Sequence, residues 1–269
     1  MRIDSFSIQL ARLSQRVRKT GLTFAPEVGS ERLNRVVNKN ISENDLLNTV
    51  NLALTEGWKR IKLYFMIGLP TECQEDIEGI INLIKKVERL GKDIAGKKFS
   101  LNVSINAFIP KSHTPFQWTT QEEENKLNEK FNYIAKNIRS KHISYSFPDT
   151  KMSIIEALLA RGDRRICKVI EDAYKAGCKF DSWREYFKFD KWEETLKKNN
   201  ADISFYLYRE REKEEIFPWD IIDCGVKKDF LWSEWQKALK EIVTEDCRFT
   251  DCCGCGLQEE CRKVKDLQQ

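Results

Sequence analysis

Apolar residues recur along the first half of the chain in two alternating rhythms. Leu10, Leu13 and Val17 fall at helical spacing and predict a helix over 5–18, ending before Gly21. GLTFA (21–25) reads as a short strand. Ser42-Glu43-Asn44-Asp45 resembles a capping box that opens a helix through Leu46, Leu47, Val50 and Leu54, with Gly57 as its left-handed stop. RIKLYFMI (60–67) predicts a strand, GLPTE a loop, and 74–90 a helix ending near Gly91. FSLNVSINAF (99–108) is the next strand. A loop punctuated by Pro110 and Pro115 leads to a helix over about 120–138, and ISYSF (143–147) closes the series as a strand.

Strand and helix in alternation predict βαβ units with a parallel sheet or barrel. In such folds ligands sit beyond the carboxyl ends of the strands. The loops there are APEVGSERL, GLPTE and IPKSHTPFQW, so a site is expected among them. After about residue 150 the texture turns helical, with a break at Gly162-Asp163, an aromatic-rich amphipathic helix over 183–198, a charged run at 209–215 and a helix over 229–243. The expected divisions are 1–150, a helical region 151–245 and a cysteine-rich tail 246–269.

Composition narrows the class. Lys plus Arg number 46 against 42 for Asp plus Glu, so the net charge of +4 excludes a strongly polyanion-seeking protein and leaves nucleic acid an improbable partner. With 41% hydrophobic residues the chain can bury a core. No apolar run approaches the about 18 residues of a membrane span, and the first residues lack a signal-peptide core, so a cytoplasmic protein without a membrane partner is expected. Trp183, Trp192, Trp219, Trp232 and Trp235 sit among as many acids as bases, which favours helix packing over nucleic-acid stacking.

Five of the nine cysteines lie from Cys247 onward. Cys247, Cys252, Cys255 and Cys261 offer four thiolates with Gly254 and Gly256 for tight turns, a pattern that suits zinc or an iron–sulfur cluster; Cys253 could replace either neighbour. In the loops, Gly29 permits a close backbone approach, Glu27 and Ser30 offer an acceptor and a hydroxyl, and Gly68, Pro70 and Glu72 make a turn whose glutamate can cap the next helix. Each of these also reads as an ordinary turn.

Taken in order, GLTFAPEVGSERL, RIKLYFMIGLPTE and SINAFIPKSHTPFQW resemble the fourth, fifth and sixth strand regions of radical S-adenosylmethionine enzymes. The similarity is to the subgroup whose longer members carry an N-terminal cobalamin-binding-like domain. It extends through FPWDIIDCGVKKDFLWSEW and the terminal cysteines. The resemblance implies the C-terminal part, about the last three strands, of a partial (β/α) TIM-like barrel followed by a mostly helical region. It further implies that Glu27, Gly29 and Ser30 approach the methionine and ribose of S-adenosylmethionine. Ile67, Gly68 and Glu72 would support the adenine, and Phe108, Ile109 and Pro110 would flank it. His113 and Gln117 would lie toward substrate, although His113 also reads as a surface or capping residue.

In that family a reduced [4Fe-4S] cluster cleaves S-adenosylmethionine to a radical that abstracts hydrogen from substrate. Its C-x3-C-x2-C triad is absent from this sequence. The expectation is a catalytically silent portion that depends on a missing N-terminal half or a separately encoded equivalent. The terminal cysteines would hold an auxiliary iron–sulfur cluster or zinc, cobalamin could serve the full-length protein, and the substrate is left open. The alternative is a non-catalytic zinc- or iron–sulfur-binding module with an RNA or protein partner.

Overall fold

The computed structural model describes residues 21–247, 249–257, 259 and 261. The helix expected over 5–18 lies outside the described residues. Four parallel strands form one sheet: β1 (Leu22–Glu27), β2 (Arg60–Ile67), β3 (Ser100–Ala107) and β4 (Ile143–Ser146). Helices α1 (Glu31–Val36) and α2 (Glu43–Thr55) join β1 to β2, α3 (Gln74–Ala95) joins β2 to β3, and α4 (Glu124–Asn137) precedes β4. The strand order is β1-β2-β3-β4, so each strand lies beside its predecessor and the winding never reverses. The sheet thus holds one strand more than the three that the family resemblance implied.

Residue alternation assigns the two faces of the sheet. Leu22, Phe24, Ile61, Leu63, Phe65, Ile67, Leu101, Val103 and Ile105 are buried with Ile77, Ile80, Ile84, Leu127 and Phe131 of the helices. Fully burying a phenylalanine such as Phe24 or Phe65 stabilises by about 1.5–3 kcal/mol. The opposite positions are mostly polar and reach solvent: Lys62, Tyr64, Ser104 and Asn106 alternate with the core residues, with Met66 and Ala25 among them. Across that face Ser144 Oγ donates to Asn102 Oδ1 at 2.5 Å. Helices α2, α3 and α4 pack in succession, α2 on α3 and α3 on α4.

Helix α2 starts as the sequence indicates, with the Asp45 amide donating to Ser42 Oγ at 3.1 Å and the Ser42 amide returning to Asp45 Oδ2 at 2.9 Å. Helix α3 runs past its expected end to Ala95. Gly91 does not stop it because the glycine makes room: a Cβ there would lie 2.3 Å from the Phe99 ring. The β1 loop meets α3 just as closely. A Cβ on Gly29 would sit 2.0 Å from Ile80 N, and one on Gly79 would sit 2.5 Å from Gly29 O.

The described residues form two compact units, the first comprising those up to Phe108 with Glu122–Thr150, the second Ile109–Gln121 and those from Lys151 onward. The Pro-rich loop 109–121 joins the second unit, and the described part of the tail belongs to that unit too. Helices α5 (Thr150–Arg161), α6 (Ile166–Lys175), α7 (Phe189–Lys198), α8 (Ile203–Leu207) and α9 (Lys228–Leu239) build it. Helix α7 starts later than expected because Lys188 takes a non-helical backbone, and Phe187 and Phe189 pack against the same apolar cluster. Helix α9 ends at Leu239, where Glu241 turns left-handed (φ 57°) and the Ile242 amide returns to Lys237 O.

Two apolar clusters organise the second unit. Ile109, Ile155, Leu158, Val169, Trp192 and Leu207 form one; Trp118, Phe217, Trp219 and Leu231 form the other, with Trp232 and Trp235 packed against it. Four of the five tail tryptophans therefore pack internally, while Trp183 is exposed. Two arginines are buried as well. Arg161 donates to the carbonyls of Tyr206 and Thr119 at 3.0 Å, and Arg211 lies over the Phe217 and Trp219 rings. Burial, with Arg211 and Arg209 nearby, pulls the Arg161 guanidinium down to about 9.

Replacing Gly29 by alanine forces α3 away from the β1 loop. The Gly29→Ala protein is expected to lose about 1–3 kcal/mol of stability, an overpacking cost, read as a lowered urea midpoint. A midpoint equal to wild type would refute the close crossing.

Candidate functional site at the carboxyl edge of the sheet

Parallel pairing brings three strand ends to one edge. Glu27 stands in register with Phe65, and Ile67 with Ala107. The Phe108 amide donates to Ile67 O at 2.8 Å, which ties the end of β3 to the end of β2. The backbone there is unusual: Glu27 (φ 70°), Gly68 (φ 80°) and Thr71 (φ 64°) are all left-handed. For Glu27 and Thr71 that conformation costs free energy, of order 1–3 kcal/mol each, and such strain concentrates at binding sites.

Glu27 pairs with Lys39, whose ammonium also donates to Ala25 O at 2.6 Å. The strand pairing slips between Phe24 and Glu27, a bulge after which Glu27 pairs again, with Phe65. Gly29 behaves differently from its expected role. Its bare Cα faces the backbone of α3, so the close approach it permits is helix packing. Ser30 Oγ caps α1, accepting from the Leu33 amide at 3.1 Å, and donates to Asp76 Oδ1 at 2.5 Å.

Asp76 was not among the expected site residues, yet it organises this loop. It is 2% exposed, and its carboxylate also accepts from Arg32 and from the Cys73 amide at 2.8 Å. Burial alone would raise its pKa; the Arg32 guanidinium, the Ser30 hydroxyl and the Cys73 amide outweigh it and hold the carboxyl below the ordinary range. The signal was present in the sequence as an acid three residues after Cys73, at the start of a helix.

Glu72 does not cap the helix that follows. Its Oε1 turns back to accept from the Gly68 amide at 2.9 Å and from Lys130 Nζ at 2.7 Å, and Lys130 bridges to Glu122 at 2.6 Å. Its Oε2 is buried and, among the described residues, has no hydrogen-bond partner. Burial pushes the Glu72 carboxyl up, against the pull of Lys130. Ile67 is a core residue, and Phe108 is buried where β3 ends. Ile109 and Pro110 lead into the second unit, where the Ile109 side chain packs with Ile155 and Leu158 rather than presenting itself to a ligand.

A cleft of about 300 Å³ opens beside the first of these loops. Pro26, Gly29, Ser30 and Asn34 line one side, Ser42 and Leu46 another. Of the expected cofactor residues it includes Gly29 and Ser30; Glu27, Gly68 and Glu72 lie outside it.

In the second unit, Gln117 is internal. Its Oε1 accepts from the His113 amide at 3.2 Å and from the Trp219 indole at 2.8 Å, so it does not face substrate. His113 takes a left-handed backbone (φ 54°) and sets Nδ1 3.3 Å from the Cys224 sulfur. Cys247, Cys252, Cys255 and Cys261 are free thiols. Among the described residues no three His, Cys, Asp or Glu side chains are already gathered as an ion's ligands. Cys253 lies close to Cys255 and Cys247: burial pushes its thiol up, the Cys255 backbone opposes this, and the two neighbouring sulfurs add to the rise.

No family model matches the chain. Over 171 residues it is 37% identical to an uncharacterized protein of Methanocaldococcus jannaschii, an alignment that covers 64% of this chain and 36% of that protein. The chain thus spans about a third of the relative's length. Among the described residues no helix is long and apolar enough to cross a membrane.

The sign of the Asp76 shift fixes a pH dependence. A carboxyl held below its ordinary 3.8 adds stability above that value and loses it as the pH falls through and below it. Urea titrations from pH 7 to pH 3 are expected to show a steep acid loss in the wild type. The Asp76→Asn protein should already be weakened at neutral pH and lose less on acidification; equal slopes would refute the assignment.

Proposed function

We propose that the chain carries the S-adenosylmethionine-facing part of a radical S-adenosylmethionine enzyme, built on a partial (β/α) barrel. One observation carries the reading: Glu27, Gly68 and Phe108, from the three motifs that resemble that family, stand at one carboxyl edge of three consecutive parallel strands. The unreversed strand order and the helices packed in succession are what a barrel segment requires. The polar face, with Lys62, Tyr64 and Asn106, is where a substrate would lie.

The residues fit the cofactor's organic part and not its iron. Among the described residues one buried oxygen of Glu72 has no donor, and the exocyclic amine of a purine is a donor of the kind it lacks. Gly68 takes a left-handed backbone (φ 80°) that turns the chain at the strand end, where Glu122 and Leu127 pack 3.0 Å from the place a Cβ would take. The sequence holds no C-x3-C-x2-C triad for the catalytic cluster, so cleavage of S-adenosylmethionine needs ligands from elsewhere. This chain's own work is to bind and orient. The alternative, a non-catalytic metal-binding module, draws on the cysteine-rich tail and leaves the strained carboxyl edge without a role.

Ligand-observed NMR with S-adenosylmethionine tests the reading. The purified chain is expected to bind it saturably, and Glu72→Gln to weaken binding about tenfold, the cost of one hydrogen bond to a charged acceptor. No 5′-deoxyadenosine should form under reducing conditions unless a polypeptide bearing the cysteine triad is added. A folded chain that shows no saturable binding, or one that cleaves the cofactor alone, overturns the proposal.

A further inference from the structure

Cys224 and His113 are 111 residues apart in sequence, yet the fold brings Sγ and Nδ1 to 3.3 Å. Among the described residues that sulfur is the only polar partner of the imidazole ring, because Nε2 is buried and unpartnered. A tetrahedral zinc ion, at about 2.3 Å from sulfur and about 2.0–2.1 Å from nitrogen, holds two such donor atoms roughly 3.5 Å apart. The pair is therefore already spaced as one edge of a zinc tetrahedron.

The cysteine-rich tail is fastened beside this pair by its backbone. The Lys227 amide donates to Cys255 O at 2.8 Å, three residues beyond Cys224. Gly256 (φ 114°) is pressed so close that a Cβ would lie 2.3 Å from Gly225 O, and a Cβ on Gly225 (φ 79°) would lie 2.7 Å from Leu257. Gly254 is left-handed as well. These turns wrap residues 254–257 around residues 225–227. In the tail, Cys247, Cys253 and Cys255 are half-buried whereas Cys252 and Cys261 are exposed, and Cys253 and Cys255 flank Gly254 in the turn held against residues 225–227.

We propose that His113, Cys224, Cys253 and Cys255 form one zinc site that fastens the tail to the loop after β3. This ligand set differs from the one the spacing alone suggested: two ligands come from far upstream, and Cys253 replaces Cys252. One nitrogen and three thiolates are a closed structural set for zinc, whereas four thiolates would suit iron and sulfide equally. The site stands whether or not the chain binds S-adenosylmethionine, so the two readings fail independently.

The test uses the full chain, purified anaerobically with a phosphine reductant and stripped of metal. Zinc is added, and alkylation by N-ethylmaleimide is followed residue by residue by mass spectrometry. One equivalent of zinc is expected to slow labelling of Cys224, Cys253 and Cys255 at least about tenfold, since the free thiolate is the nucleophile. Cys167, exposed on α6, and Cys261 should label at the same rate with and without metal. Cys224→Ser and His113→Asn should each weaken zinc binding about 10–100-fold, a range set by losses of supporting partners alone. Zinc that protects the terminal cysteines but leaves Cys224 reactive overturns the proposal, as does failure to bind zinc. Uptake of iron and sulfide by these same cysteines in preference to zinc overturns it too. Because the labelling is read on the wild-type protein, a variant that fails to fold does not blunt the test.

Discussion

Between the loop after β1 and helix α3 there is no room for a side chain on either partner. Gly29 and Gly79 meet backbone to backbone, and the second turn of α3 is thereby held against the loop after β1. Asp76 completes the junction from inside, gathering Ser30, Arg32 and the Cys73 amide on one nearly inaccessible carboxylate. Removing any one partner would leave a buried charge short of donors, which is why this junction is rigid rather than adjustable. The positions of Glu27 and of the Gly68 loop follow from it, since one precedes and the other leads into the elements so joined.

The strands were legible because their chemistry alternates. RIKLYFMI and FSLNVSINAF put every second residue in the core, and the structure places them within a residue of the expected bounds. The α2 start was legible because Ser42 and Asp45 act locally. Helix ends depended on distant partners and were not. Gly91 reads as a stop until Phe99, eight residues later, is known to need its space. Gly29 reads as a ligand-approach glycine until α3 is seen to occupy that approach. Asp76 was overlooked because a helix-starting acid is commonplace; its weight comes from Ser30 and Arg32, more than forty residues upstream.

The second unit shows the same limit more sharply. The apolar pattern identified its helices but not the partnership of Cys224 with His113, nor the burial of Gln117 beneath Trp219. No local rule relates residues over a hundred positions apart. The buried arginines Arg161 and Arg211 are of this kind too. Arg211 sits in the charged run 209–215 and Arg161 near the end of a helical stretch; backbone carbonyls draw both inside, joined for Arg211 by aromatic rings.

The order of the strands leaves β1 and β4 at the margins of the described sheet, and both margins are poor templates. β4 offers four residues, three of them exposed, and at β1 the pairing slips before the left-handed Glu27. A long flat margin would recruit any extended chain and drive aggregation. These two are short or kinked, so a strand that joins them must match a defined length and a defined bend. The sheet is thereby selective about its neighbours while its polar face stays open to solvent.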